Sequence, residues 1–314
     1  MNTATPASEN PARHYVATLG GVAGMILALA AALNYWVDAN AYFGRNTLGF
    51  FTSAERQFKI LGLARHPQNA VLLGNSKAAL ADTSLLRPPP VFFNAGVGGS
   101  LVEDVLAMTK HLPHDSPLIV VALDFGQFGN EHPYGENLPP AFTWHEWLAN
   151  LLSRDAVGAS VKTLASAVWH LPPTYRDDGT FDATGWYAHY DVPNPAARVE
   201  MVAAHNARLR GFQFSPQRVA LLQPLHDALT AHGRFLVYIL PAEAEEMSAL
   251  VNLGLRPAYD DWRRRVREVF PDVVDLTDTP FADPKNYFYL DIMHPYPKIG
   301  ARMIAETVLP QLRK

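Results

Sequence analysis

Ala70-Val71-Leu72-Leu73-Gly74-Asn75-Ser76-Lys77 is the stretch that decides the fold. Four apolar residues in a row, closed by a glycine and followed by the small and helix-forming Ala78-Ala79-Leu80, read as a buried strand turning sharply into a helix. The same alternation recurs down the chain. Further strand candidates are Val91–Phe93, Leu118–Leu123, Phe235–Leu240 and Val273–Leu276. Helical stretches fall between and after them, including Leu101–Lys110, Val219–Ala231, Tyr259–Val269 and Ile299–Leu312. Strands alternating with helices predict a parallel sheet covered on both faces, a three-layer α/β/α sandwich of flavodoxin-like type with five strands. In such sheets ligands gather at the carboxyl ends of the strands, so chemistry is expected just after each run.

The strand ends carry it. Ser76 stands on the first strand-to-helix turn, where a helix N-terminus offers backbone N–H groups and the positive end of its dipole. Asn94-Ala95-Gly96-Val97-Gly98-Gly99-Ser100 follows the second strand, and a glycine there lets the backbone N–H of Gly96 approach an oxyanion. Asp124-Phe125-Gly126-Gln127 follows the third strand. Asp291-Ile292-Met293-His294 precedes the last helix, a spacing that lets a carboxylate orient an imidazole whose other nitrogen takes a proton from a serine. Taken singly, each signal is common: NAGVGG also reads as a tight turn, and D-x-x-H arises by chance in a chain of this length. The ordered set is far more specific.

That set resembles the SGNH/GDSL hydrolase superfamily. Gly74-Asn75-Ser76 is similar to its first block, with Asn75 where a GDS-type motif has Asp. Asn94-Ala95-Gly96 is similar to the glycine block, and Asp291 with His294 to the last. The resemblance runs from about residue 65 to the C-terminus, apart from a long insertion over 127–214. It implies a Ser76–His294–Asp291 triad, with an oxyanion hole built from the Ser76 and Gly96 amides. The third block departs from the pattern: where the family offers an asparagine, this chain has Asp124, which cannot donate when ionised. Gln127 and Asn130 are the candidates to replace it.

N-terminal to this domain, Tyr15 to Val37 reads YVATLGGVAGMILALAAALNYWV without one charge. As a helix it covers roughly 35 Å, against about 30 Å of bilayer hydrocarbon. Its length, and the lack of a clear small-x-small site before the polar flank, favour a retained span over a cleaved leader. The lack of a polar face argues against a core helix. Residues 1–14 form a short tail, 15–37 the transmembrane helix and 38–64 an amphipathic stalk. Arg13 alone precedes the span, so the positive-inside rule is nearly silent. A short N-terminus and no second span fit a signal anchor in the inner (cytoplasmic) membrane, with the C-terminal domain extracytoplasmic.

An anchored SGNH-like domain is similar to cell-envelope acyl-transfer proteins that O-acetylate alginate and other exopolysaccharides or D-alanylate teichoic acids. The resemblance implies an acyl-Ser76 intermediate, an integral-membrane acyl-donor partner and a cell-envelope glycan acceptor, with esterase activity as the hydrolytic variant. The altered third block keeps a second expectation alive: a catalytically silent, membrane-tethered subunit that binds glycan or supports assembly.

Composition narrows the alternatives. The 314 residues carry 26 Lys and Arg against 30 Asp and Glu, a net charge of −4, which argues against a nucleic-acid partner. The absence of cysteine excludes disulfides, a cysteine nucleophile and thiolate-held metals. His111-Leu112-Pro113-His114 and Trp169-His170 lack metal-ligand spacing, so neither a metal nor a cofactor is expected. Lys77 reads as a solvated helix-start residue. The insertion carries predicted helices over Trp144–Ser153 and Ala156–Trp169, then a Pro/Asp/Gly-rich loop from Pro172 to Pro195. Its many rings, among them Trp144, Trp147, Trp169, Tyr175 and Trp186, read as the packed core of a helical subdomain, with a sugar-stacking cap as the alternative.

Overall fold

The computed structural model describes residues 11–86, 90–130 and 143–313. Five strands form one all-parallel sheet: β1 (Ala70–Leu73), β2 (Phe92–Asn94), β3 (Ile119–Leu123), β4 (Phe235–Ile239) and β5 (Val274–Asp275), in the order β2-β1-β3-β4-β5. The helices are α1 (Pro11–Val37), α2 (Glu55–Arg65), α3 (Ser76–Ala79), α4 (Val102–Thr109), α5 (Trp144–Leu152), α6 (Arg154–Val168) and α7 (Thr184–Tyr190). They continue as α8 (Pro195–Arg210), α9 (Pro216–Val219), α10 (Leu222–His232), α11 (Ala244–Asn252), α12 (Arg256–Val269) and α13 (Pro297–Met303).

Period-two alternation builds the layers. Val71, Leu73, Phe93, Val121 and Ile239 face one core, with α2, α4, α10 and α12 supplying Leu63, Val105, Leu225 and Trp262. Ala70, Leu72, Phe92, Val120 and Tyr238 face the other, against Ala78 of α3 and Ile299 and Met303 of α13. The expected three layers and five parallel strands are therefore present. β2 sits one residue later than expected, which places Asn94 in register opposite Leu72. The last helix is shorter than expected: α13 passes into a π turn over Ile304–Val308 and a 3-10 turn over Leu309–Arg313. Pro310 explains the break, because it has no N–H to donate and its ring crowds the preceding turn.

Residues 38–64 do not form a free stalk. Ile60 and Leu63 of α2 belong to the main core. A Cβ at Gly62 would stand 2.0 Å from the Phe93 ring, so helix and strand are in close contact there. The Asp38 carboxylate accepts the amides of Phe43 (2.9 Å) and Arg45 (2.8 Å), folding the chain back immediately after α1. An amphipathic helix needs a surface to cover, and α2 finds the sheet.

α1 is long and apolar enough to cross a membrane, and its apolar stretch is not buried within the molecule. Only its end is covered. Asn34 Nδ2 donates to the Leu151 carbonyl (2.8 Å), and Ser160 Oγ donates to Asn34 Oδ1 (2.8 Å), tying α1 to α5 and α6.

The insertion also differs from expectation. The Pro172–Pro195 stretch contains α7, and α8 follows it. Its rings divide in two. Tyr175, Trp186 and Tyr190 pack against neighbours, whereas Trp144, Trp147 and Trp169 stand outside, so one aromatic core does not form.

Candidate active site

Ser76 is the first residue of α3, on a turn that Gly74 makes possible. Gly74 has φ +152°, and a Cβ there would meet the Ala78 Cβ at 2.7 Å and the Ala122 Cβ at 2.9 Å. Asn75 caps the helix, its Oδ1 accepting the Lys77 amide at 3.0 Å. Asn75 thus acts as a helix cap.

His294 Nε2 lies 2.8 Å from Ser76 Oγ, and His294 Nδ1 lies 2.7 Å from Asp291 Oδ2. Asp291 Oδ1 accepts the Met293 amide at 3.0 Å. Burial works to raise the Asp291 pKa, but the hydrogen bond and charge of His294 outweigh it and hold the carboxyl below its usual range. Asp291 and His294 are buried while Ser76 is half-buried. Trp186 of α7 sets its ring edge-on to His294, with centroids 4.7 Å apart. This line of serine, imidazole and carboxylate can remove a proton from a serine hydroxyl and hold the resulting charge.

The surrounding donors are arranged differently from expectation. The Gly96 N–H donates to Asn94 Oδ1 at 3.0 Å and is not a free donor here. Asn94 is a hub whose Nδ2 reaches the carbonyls of Ala78 (2.9 Å), Ala79 (3.2 Å) and Ala81 (3.0 Å). Gly96 is needed for close approach, since its Cβ would lie 2.6 Å from the Ala79 nitrogen. The Ser76 amide lies in the first turn of a helix, where backbone N–H groups have no intrahelical partner.

Both carboxylate oxygens of Asp124 have partners. Its Oδ1 takes the Gly126 amide (2.7 Å) and its Oδ2 pairs with Lys77 Nζ (2.6 Å). Lys77 is therefore a buried ion-pair residue and not solvated. Its side chain also reaches Glu246 Oε2 at 3.4 Å. Burial opposes its charge, yet the two carboxylates prevail and raise its pKa, while burial foremost raises that of Glu246. Neither candidate for the third-block role is aimed at the serine by its bonding. Gln127 Oε1 accepts the Asp124 amide (2.9 Å), leaving a buried Nε2 without a partner, and exposed Asn130 donates to Gln213 at 3.4 Å.

One residue that the sequence reading did not single out stands near this cluster. His205 is the buried side chain of α8, and both its ring nitrogens lack partners. Burial foremost, then the charges of Lys77 and Arg208, lowers its pKa to about 4 against the opposing pull of Asp291 and Asp124. α8 is held over this edge of the sheet by Arg198, which donates to the Tyr289 carbonyl and pairs with Glu245 at 3.0 Å. No local motif marks such a histidine, because the neighbours beyond its own helix come from three distant segments, those of Lys77, Asp124 and Asp291. Among the described residues, no three His, Asp or Glu side chains are grouped to hold a metal.

Comparison with models of known protein families found none that matches this chain, and a search of curated proteins found no match either.

Proposed function

We propose that the protein is a membrane-anchored serine acyl-transfer enzyme, an O-acyltransferase or esterase that acts on a cell-envelope polysaccharide. The observation that carries the reading is the hydrogen-bonded line from Ser76 through His294 to Asp291 at the carboxyl edge of a parallel sheet. Ser76 Oγ attacks the acyl carbonyl while His294 Nε2 takes its proton. The Asp291 carboxylate holds Nδ1–H and stabilises the imidazolium. The Ser76 amide and the start of α3 face the oxyanion. His294 then returns the proton to the leaving group, and the acyl group stays on Ser76. In the second half a glycan hydroxyl, or water, loses its proton to His294 and takes the acyl group, and His294 gives that proton to the departing Ser76 Oγ. α1 is the anchor in the inner membrane, with the domain extracytoplasmic and an integral-membrane partner delivering the acyl group.

Two observations favour a second reading, a silent glycan-binding or assembly subunit. The Gly96 amide is engaged by Asn94, and Asp124 is locked to Lys77 where an oxyanion donor is expected. A fluorophosphonate probe on the full-length protein separates the two. Labelling of the wild type that disappears in Ser76→Ala supports the enzyme, and an unlabelled wild type selects the silent subunit. A reporter fused after Lys314 tests the orientation: activity confined to the cytoplasm removes the envelope-glycan reading.

A further inference from the structure

A helix on a water-soluble domain turns its apolar side inward. α5 and α6 leave most of theirs outside. On α5 the apolar residues Trp144, Trp147, Leu148 and Leu152 share one face and are exposed, Trp144 to 65%. Its buried positions are Asn150, whose Oδ1 accepts Asn40 Nδ2 at 3.1 Å, and a single leucine, Leu151, whose carbonyl accepts Asn34. On α6 the buried positions are small or hydroxyl-bearing: Ala156, Ser160, Thr163 and Ser166. The exposed stripe is Val161, Leu164 and Val168, closed by Trp169 at 72%.

This pair is joined to α1 itself. Asn34 bonds both the Leu151 carbonyl of α5 and Ser160 of α6, so the outward apolar face continues the surface of a helix able to cross a membrane. Small and hydroxyl residues turned inward with aliphatics outward is the pattern of helices packed in lipid. Length limits the depth: 15 residues of α6 cover roughly 22 Å, short of the hydrocarbon core. Arg154 and Asp155 at its start and Lys162 midway also keep it at the headgroup level, where a lysine stem reaches outward and tryptophan is favoured.

We propose that α5 and α6 form a half-embedded hairpin that seats the domain on a phospholipid bilayer beside α1. The occupant of this face is lipid, because the face runs on from a membrane helix and no slack chain separates the two: Val37 and Asp38 are already buried. The proposal rests on α1 as a membrane segment and is independent of the chemistry at Ser76.

The cysteine-free chain makes the test direct. Single cysteines replace Leu148, Val161 or Val168 in the full-length protein, with Leu29→Cys as the reference within α1 and Glu268→Cys as the aqueous reference. Each is labelled with an environment-sensitive fluorophore and reconstituted in phosphatidylcholine/phosphatidylglycerol vesicles. Labels at 148, 161 and 168 are expected to emit blue-shifted light that nitroxide lipids quench and aqueous iodide does not, as at 29. Iodide quenching equal to that at 268 overturns the proposal. So does shielding from both quenchers, which would mean that protein covers the face. If 29 is lipid-quenched while the hairpin sites meet iodide, the span stands and the seat is lost; if 29 also meets iodide, both are lost.

Discussion

A serine hydroxyl is a weak nucleophile until a base stands within hydrogen-bond reach, and the 2.8 Å contact between Ser76 and His294 meets that condition. Ser76→Ala or His294→Ala should therefore remove turnover of an activated aryl ester by the full-length protein. Asp291→Asn, which keeps the shape but favours the wrong tautomer, should lower kcat by roughly ten-thousand-fold. Unchanged rates in these variants would remove the triad reading. His205 makes a separate prediction about stability. The folded protein keeps this imidazole neutral down to about pH 4, whereas an unperturbed histidine protonates near 6.5. Across that window the unfolded chain binds more protons, so stability falls as the pH drops. In His205→Phe, chemical denaturation at a series of pH values should show a shallower decline between pH 6.5 and 4; the wild-type slope would mean that other groups cause it. Ser76, Asp291 and His294 could be picked out in the sequence because each sits beside a strand end or keeps a short fixed spacing. His205, and the burial of Lys77 between Asp124 and Glu246, depend on contacts between remote segments that no local pattern encodes.

At the scale of elements, the strands were legible because a central parallel strand is buried on both faces and appears as an unbroken apolar run. β1 and β3 are such runs, buried at every position. The helices of the insertion were harder. α8 has one buried residue, α5 buries only Asn150 and Leu151, and α6 buries small and hydroxyl-bearing positions, so their periodicity does not say what they pack against. Likewise, the pattern of 38–64 suggested an amphipathic stalk but could not name the sheet as the partner of α2. The loop after β2 shows how one residue serves two elements. Gly96 lets that loop lie against the end of α3, with no room for a Cβ beside the Ala79 nitrogen. Gly96→Ala should force loop and helix apart, lowering stability by about 1–3 kcal/mol. It should also displace Ser76 from His294, so that thermal melting temperature and probe labelling fall together. A melt identical to wild type would show that the loop yields without moving α3.

The whole molecule is a parallel-sheet domain held directly against the end of an apolar helix, and that joint is polar. Asn34 offers a donor to the Leu151 carbonyl and an acceptor to Ser160 Oγ, both at 2.8 Å and both buried. Side-chain hydrogen bonds between membrane-associated helices contribute about 0.6–2 kcal/mol, and a buried polar group left unpaired adds a further cost. Asn34→Leu removes both bonds and strands two polar atoms without changing the apolar character of α1. The domain should still fold, since neither core cluster includes Asn34, but its position relative to α1 should loosen. Spin labels on cysteines introduced at Leu29 and Val161 report that position in reconstituted full-length protein. A narrow distance distribution is expected with Asn34 intact, broadening in Asn34→Leu and narrowing again in Asn34→Gln if the longer amide still reaches a partner. An equally narrow distribution in Asn34→Leu would mean that apolar packing of α1 against α5 and α6 suffices to hold the domain, and that the polar joint sets register without holding the parts together.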